Sequence, residues 1–284
     1  AADTVFGLGE REDTLVLKRT SIDTPYEMWA FDSPHEPNHM DGLYGNMPFI
    51  QGVSEAASMG VAWINSAHTW ASIQDSPQHV AGSPVQGTYS NFVSESGAIE
   101  FFMFGSAAQT GAGMNRVQRV AYDMSTITGF APLPPVHTLG FHFSKYDEAS
   151  ADIIMDRNRN FTEYKFPVDV LVMDIQWADF NSEVGGYEYF RFNPANFTTE
   201  GLAQMNKEVE ESKRYMTTIL DPHIKVVDDY FVYADGQTLQ DEQSSEGDLY
   251  NIFIKDPEEE KDFEGDCWPG NTVWIDFLNE NAQA

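Results

Sequence analysis

Between Pro132 and Pro135 the hydrophobic pattern of the chain changes period, and that change fixes the order of its architecture. Ahead of Pro132, Pro134 and Pro135, apolar residues come in short runs alternating with polar ones. Thr14 to Lys18, Gly60 to Ile64 and Ile99 to Phe104 are examples, set apart by Gly, Pro, Ser and Asn clusters. Period-two alternation bounded by turn residues is the mark of half-buried strands. Nothing in residues 1–128 holds a helical period over three turns, so a β-sandwich is expected there.

Behind the prolines the pattern reads strand, helix, strand, helix, strand. Thr138 to Tyr146 predicts a strand. Glu148 to Lys165 predicts a helix with Ile154, Asn158 and Phe161 on one side and Pro167 closing it. Val168 to Ile175 is apolar but for Asp169 and Asp174, as a strand buried on both faces requires. Thr198 or Thr199 can cap a second helix carrying Leu202, Met205 and Val209, and Tyr215 to Leu220 predicts the next strand, ending in Asp221. This alternation predicts a parallel α/β sheet. Two domains are expected, a β-sandwich over 1–130 and an α/β unit over 131–284.

Charge narrows the partners. The 284 residues carry 16 Lys+Arg against 45 Asp+Glu, a net charge of -29. Nucleic acid and anionic membrane surfaces take most of their affinity from basic side chains, so neither is expected as a partner. Residues 235–266 hold twelve Asp or Glu against two Lys and predict an exposed acidic loop or insertion, without the spacing of a calcium loop. No run of eighteen apolar residues occurs, so no membrane-spanning helix is expected. Ala1-Ala2-Asp3 does not start a signal peptide, and Val5-Phe6-Gly7 reads like the inside of a domain, as in a fragment.

The single cysteine, Cys267, excludes an internal disulfide and leaves the compartment open. There is no phosphate-binding glycine loop, no Gly-x-Ser-x-Gly elbow and no catalytic-cysteine signature. The spacing of His142 and His223 has no metal-site logic, so neither metal nor cofactor is expected. Asn160-Phe161-Thr162 and Asn196-Phe197-Thr198 are glycosylation sequons.

Three carboxylates sit where a strand–helix barrel keeps its chemistry. Asp174 ends VDVLVMD, Asp221 ends YMTTILD, and Asp276 follows Trp274-Ile275. At the C-terminal strand ends of such a barrel a carboxylate can hold sugar hydroxyls or serve in glycoside hydrolysis; an Asp after a strand can equally cap the next helix. Phe141, Phe143, Tyr146, Trp177 and Trp268 lie near the same ends and could stack on sugar faces or simply fill the core.

Taken in order, the strings resemble family-31 glycoside hydrolases, and within them the catalytic subunits of the endoplasmic reticulum. VFGLGERED (Val5 to Asp13), GLYGNMPFI (Gly42 to Ile50), GVAWINSAHTW (Gly60 to Trp70), LGFHFSKY (Leu139 to Tyr146), VLVMDIQWAD (Val170 to Asp179), YFRFNPANF (Tyr189 to Phe197), LDPHIKV (Leu220 to Val226) and CWPG (Cys267 to Gly270) followed by Asp276-Phe277 carry it. The resemblance implies a galactose-mutarotase-like sandwich leading into the first half of a (β/α)8 barrel. It implies part of a retaining α-glucosidase that removes terminal α-linked glucose, through a glucosyl-aspartate intermediate, from glucose-terminated oligosaccharides in N-glycan trimming. The endoplasmic-reticulum lumen or another secretory compartment follows from it, with room for a regulatory β subunit.

By the same resemblance Asp174 holds the glucose hydroxyls, Ile175 lines that subsite, Tyr146 and Trp268 supply pocket aromatics, and Asp221 and Asp276 match acidic positions around the pocket. Phe143 and Lys145 depart from the family's Gln and Arg, and His68 and Ser72 from acidic residues. The family's nucleophile string, W-x-D-M-N-E-P, is absent. WIDFLNE (Trp274 to Glu280) has one residue too many and no proline. No catalytic nucleophile or acid/base is therefore expected within the chain, which carries about half of an eight-unit barrel and reads as truncated. The alternative is a catalytically inactive relative that binds glycans or serves as a structural subunit.

Overall fold

The first part of the chain forms antiparallel strands: β1 (Thr4–Gly7), β2 (Tyr26–Met28), β3 (Phe49–Val53), β4 (Ala57–Trp63), β5 (Thr69–Asp75), β6 (Thr88–Ser94) and β7 (Phe101–Ala107). The strand expected at Thr14 to Lys18 does not form, because only Leu17 of that run is buried while Leu15 and Val16 face solvent. The computed structural model describes residues 4–21, 23–32, 42–75, 88–107, 113–180, 185–244, 250–258 and 261–283. The chain divides into two units, Ala1–Pro132 and Leu133–Ala284.

The first unit has two sheets, ordered β1-β3-β4-β7 and β2-β5-β6. Val5 and Ile50 from one sheet join Tyr26, Met28, Ala71 and Ile73 from the other in one buried cluster with Leu8 and Leu17. Each large apolar side chain so buried contributes about 1.5–3 kcal/mol, and the shared cluster makes the two sheets a sandwich.

A helix that the apolar pattern does not predict, α1 (Arg116–Thr128), packs on β4 and β7. It is specified by its first turn. Asn115 Oδ1 accepts from Val117 N and Gln118 N, and Gln118 Oε1 accepts from Asn115 N at 3.0 Å, a capping box. Val120 is its one buried residue, set against Ala62 and Phe104. Gly60 admits the contact, since a Cβ there would stand 2.7 Å from Val120 Cγ1.

The second unit starts with a short 3-10 turn, Val136–Leu139, and then runs β8 (His142–Lys145), α2 (Ala151–Glu163), β9 (Val170–Met173), a 3-10 turn Ile175–Trp177, β10 (Ala178–Phe180), β11 (Tyr187–Phe192), α3 (Thr199–Glu211) and β12 (Tyr215–Thr218). The expected strand, helix, strand, helix, strand order stands, with shorter elements. The helix expected from Glu148 starts at Ala151, because Ser150 Oγ accepts from Ile153 N at 3.2 Å and caps it there. β9 pairs in parallel with β8 on one side and β12 on the other. Among the described residues this sheet has three strands and does not close into a barrel.

Ile154 and Met155 of α2, Leu171 and Met173 of β9, and Met205 and Val209 of α3 share one core. A buried polar weld accompanies it. Asn158 Nδ2 donates to Glu208 O at 3.1 Å, and Arg214 donates to Asn158 Oδ1, Thr162 Oγ1 and Val168 O. One guanidinium thus ties α2 to the chain entering both β9 and β12.

The remaining elements are β13 (His223–Lys225), α4 (Phe231–Gln243), β14 (Gly265–Cys267), β15 (Gly270–Trp274) and the one-turn α5 (Glu280–Gln283). Here two expectations are corrected. Trp274-Ile275-Asp276 does not end a third parallel strand, since β15 runs antiparallel to both β13 and β14. The two-residue turn Trp268-Pro269 reverses the chain at once, whereas a parallel return needs a crossover of about a dozen residues or more. Nor is 235–266 a bare acidic loop over its described residues. α4 covers its start, Phe253 is buried, and the carboxamide oxygen of the buried Gln240 accepts from Ile252 N and Phe253 N. Among the described residues no helix is long and apolar enough to cross a membrane.

Gly236, in the middle of α4, faces Phe253, whose Cζ would lie 2.6 Å from an added Cβ. Alanine would raise helix propensity by about 1 kcal/mol, but forcing a methyl into a filled core costs about 1–3 kcal/mol. Gly236→Ala is therefore expected to lower the urea midpoint; a raised midpoint would show that Phe253 does not fill this space.

Candidate functional site

Two clusters of polar and aromatic side chains occupy the loops beyond the C-terminal ends of β9 and β12. The first centres on Asp174, directly after β9. Its Oδ1 accepts from Ile175 N at 2.7 Å and its carbonyl from Trp177 N at 3.1 Å, so the residue caps the turn Ile175–Trp177. Its other carboxylate oxygen has no protein hydrogen bond among the described residues, and the residue is half-buried. Tyr187, on β11, has its phenol pKa raised by burial first and then by the neighbouring Tyr146 and Asp174. Tyr146 itself is 72% exposed beyond β8. The charges of Asp174 and Tyr146 are thus felt at the Tyr187 phenol, which itself lines a cleft with Glu148, Ser150 and Gln176.

Ile175 is buried in the core beneath Asp174, at 8% exposure. Trp177 is also buried, and its Nε1 donates to Ile219 O at 2.9 Å, linking the chain after β9 to the chain after β12. Phe143 stacks edge-on against Phe161, and Lys145 pairs with Asp147 at 2.8 Å. Hydrogen bonds from Arg157 and Lys145 hold the Asp147 carboxyl below its ordinary pKa.

The second cluster centres on Asp221. Tyr189, only 1% exposed, donates its hydroxyl to Asp221 Oδ2 at 2.7 Å. Burial, with the Asp221 bond behind it, pushes the phenol pKa well up, so Tyr189 remains a donor. The buried His223 sets its ring edge against Tyr189 and its Nδ1 3.4 Å from Cys267 Sγ. Its Nε2 stands 3.8 Å from Asp221 Oδ2, too far for a hydrogen bond. Trp268 follows Cys267 at the tip of the β14–β15 turn, 67% exposed.

Asp276 belongs to neither cluster. Its carboxylate accepts from Leu278 N and its amide donates to Ile252 O, which closes a turn ahead of α5. Both sequon asparagines are exposed. Asn160 donates to Asp156 along α2, and Asn196 lines a cleft of 480 Å³ with Glu148, Ser150, Gln176, Tyr187 and Asn193. Tyr187 and Tyr189 escaped the reading of the sequence, although their alternation in Tyr187-Glu188-Tyr189 is the signal that places both on one strand face. No group of three or more His, Cys, Asp or Glu suited to a metal ion occurs among the described residues.

His223 gives the site a pH dependence. Burial pulls its pKa below the ordinary value of 6.5, opposed by the Asp221 charge. The folded chain therefore keeps the imidazole neutral while the unfolded chain gains a proton as pH falls through about 6.5. Stability should be level above that pH and decline below it, down to the depressed folded value. Melting temperatures between pH 5 and 8 should show this slope in the wild type and a flatter one in His223→Gln; equal slopes would exclude His223 as the source.

Residues 131–284 match the glycosyl hydrolases family 31 TIM-barrel domain, and residues 1–71 the glycosyl hydrolase 31 N-terminal galactose mutarotase-like domain. The glucosidase 2 subunit alpha of Schizosaccharomyces pombe is 29% identical over 287 residues, covering 99% of this chain and 28% of that protein. A glucosidase II alpha subunit solved in a Glc1Man2-bound form superposes with a TM-score of 0.82 at 27% identity, over 99% of this chain and 29% of that one. A heterodimeric ER glucosidase II complex, of catalytic subunit and the binding domain of the regulatory subunit, gives 0.81 at 27% identity with the same coverage. The chain thus spans less than a third of the length of these relatives. With its second unit matched throughout and its first in part, the chain belongs to glycosyl hydrolase family 31.

Proposed function

We propose that this chain supplies the glucose-holding wall of an α-glucosidase that removes terminal α-linked glucose with retention from glucose-terminated glycans. One observation carries the reading. Asp174 ends a buried strand with one carboxylate oxygen spent on Ile175 N and the other without a protein hydrogen bond among the described residues, and its charge is felt at the Tyr187 phenol. A half-buried carboxylate with acceptor capacity to spare suits sugar hydroxyls, and an exposed ring such as that of Tyr146 suits a stacked sugar face. Trp268 and Asp221 are assigned to the same pocket, and Ile175 acts from beneath by fixing the backbone of Asp174. Asp276 is assigned a turn-closing role beside it.

The nucleophile and acid/base are assigned to residues other than these 284, because the W-x-D-M-N-E-P string is absent from them. By kinship with glucosidase II the whole protein works in N-glycan trimming in the endoplasmic-reticulum lumen, with a regulatory β subunit as partner. The reading as an inactive relative rests on the divergent HFSKY string, with Phe143 and Lys145, and on the acidity of the chain. Both have structural employment, Phe143 against Phe161 and Lys145 on Asp147, so their divergence is no evidence of lost activity.

Asp174→Asn separates the two roles of this residue. An amide oxygen can still cap Ile175 N, so folding should be unchanged, while the charge-assisted bonds to sugar, each about 1.5–3 kcal/mol, are weakened. In the full-length protein kcat/KM for a nitrophenyl α-glucoside should fall by roughly a hundredfold, about 3 kcal/mol, at an unaltered melting temperature. A lower melting temperature with normal turnover would make Asp174 scaffolding. No hydrolysis by the wild-type full-length protein would favour the inactive relative.

A further inference from the structure

The side chain of Lys225 is 3% exposed, on the short strand β13, and nothing in the proposed reaction uses it. A buried ammonium is costly unless its protons are accepted. Here the acceptors are two backbone carbonyls from two different loops, Gly185 O before β11 and Pro269 O in the β14–β15 turn. The Glu188 charge acts on the same ammonium and opposes the lowering of its pKa by burial. Within β13, Lys225 is registered against Thr272 of β15, so its stem is anchored in the sheet whose tip its head group grips.

The two gripped loops also touch directly. Gly186 holds φ +91°, and a Cβ there would overlap Pro269 O. At the other end of the turn Gly270 takes φ +94°, a conformation that favours glycine, with Cys267 paired opposite it. Trp268 is thus fixed from both neighbours. Cys267 leans on His223, and Pro269 is tied to Lys225 and blocked by Gly186. The indole between them is 67% exposed and free to meet a ligand.

We propose that Lys225 is a positioning residue that sets Trp268 against the sugar, with Gly186 as its counterpart in the facing loop. The inference rests on the reading of Trp268 as a wall of the glucose pocket and adds how that wall is held. Stacking an indole on a sugar face requires the ring in one place. A clamp that orders the turn in advance removes from binding the entropic cost of ordering it.

Two readouts on the full-length protein test the clamp. The first is the indole NMR signal of Trp268 in ¹⁵N-tryptophan-labelled protein, assigned with Trp268→Phe. Lys225→Met and Gly186→Ala should each shift or broaden it, and Lys225→Arg should partly restore it. The second is binding of deoxynojirimycin as a glucose-configured probe. Lys225→Met should weaken it about tenfold, yet add nothing in a Trp268→Ala background, although the melting temperature still drops there. Should Lys225→Met fail to fold, Gly186→Ala, which keeps the ammonium, carries both readouts.

An unmoved indole signal overturns the clamp whatever the binding result. So does unchanged affinity in Lys225→Met when Trp268→Ala binds weakly, or an equal loss in both backgrounds. If Asp174→Asn and Trp268→Ala both bind the probe like the wild type, the glucose reading itself is wrong, and the sugar-directed role of Lys225 falls with it.

Discussion

The second unit depends on one short strand. Val170–Met173 is paired in parallel on both edges, and Val170, Leu171 and Met173 are each 3% exposed or less. A strand covered on both faces and hydrogen-bonded on both sides cannot shift register without unpairing eight residues of its neighbours. The residue after it therefore emerges at a fixed point. Asp174 is half-buried because the strand carries it to the rim, and Ile175 and Trp177 turn back into the core and hold it there.

Around that strand, each buried charge or phenol has a named way of being tolerated. Glu188, 2% exposed, pairs with Arg191. Lys225 gives its protons to two carbonyls. Tyr189 and Tyr230 stay protonated because burial pushes both phenols well up, and His223 stays neutral because burial pulls it down. These groups bind the β10–β11 hairpin, β13 and the β14–β15 turn to one another. Polar contacts of this kind give a loop one geometry, which apolar contact alone does not enforce. They concentrate at the β10–β11 hairpin and the β14–β15 turn, the segments that carry Tyr187 and Trp268.

The helices show how much depends on a few local groups. The apolar faces of α2 and α3 are plain in Ile154 with Phe161 and in Met205 with Val209, and both helices form. α1 has only Val120 to bury. Its information lies in Asn115 and Gln118, which a search for apolar periodicity passes over, and in Gly60, sixty residues away, which leaves room for it. The acidic stretch teaches the same lesson from the other side. Its charge predicts solvent, but Phe253, Gln240 and the Lys255–Asp262 pair fold its described residues onto β13 and β15.

By itself the sequence determined the order of the architecture, the strand that ends in Asp174, the family, and the strongly negative net charge. Those follow from periodicity, composition and short strings, which neighbouring residues carry together. Tertiary structure alone decided which candidates meet. It set the Asp174 charge within influence of Tyr187, joined Asp221 to Tyr189 and Cys267 to His223, and left Asp276 closing a turn. It also set Lys225 against Gly185 and Pro269, some forty residues distant on either side. Such meetings depend on the direction in which strands return, and a two-residue turn at Trp268-Pro269 settles that direction only once the chain has folded back.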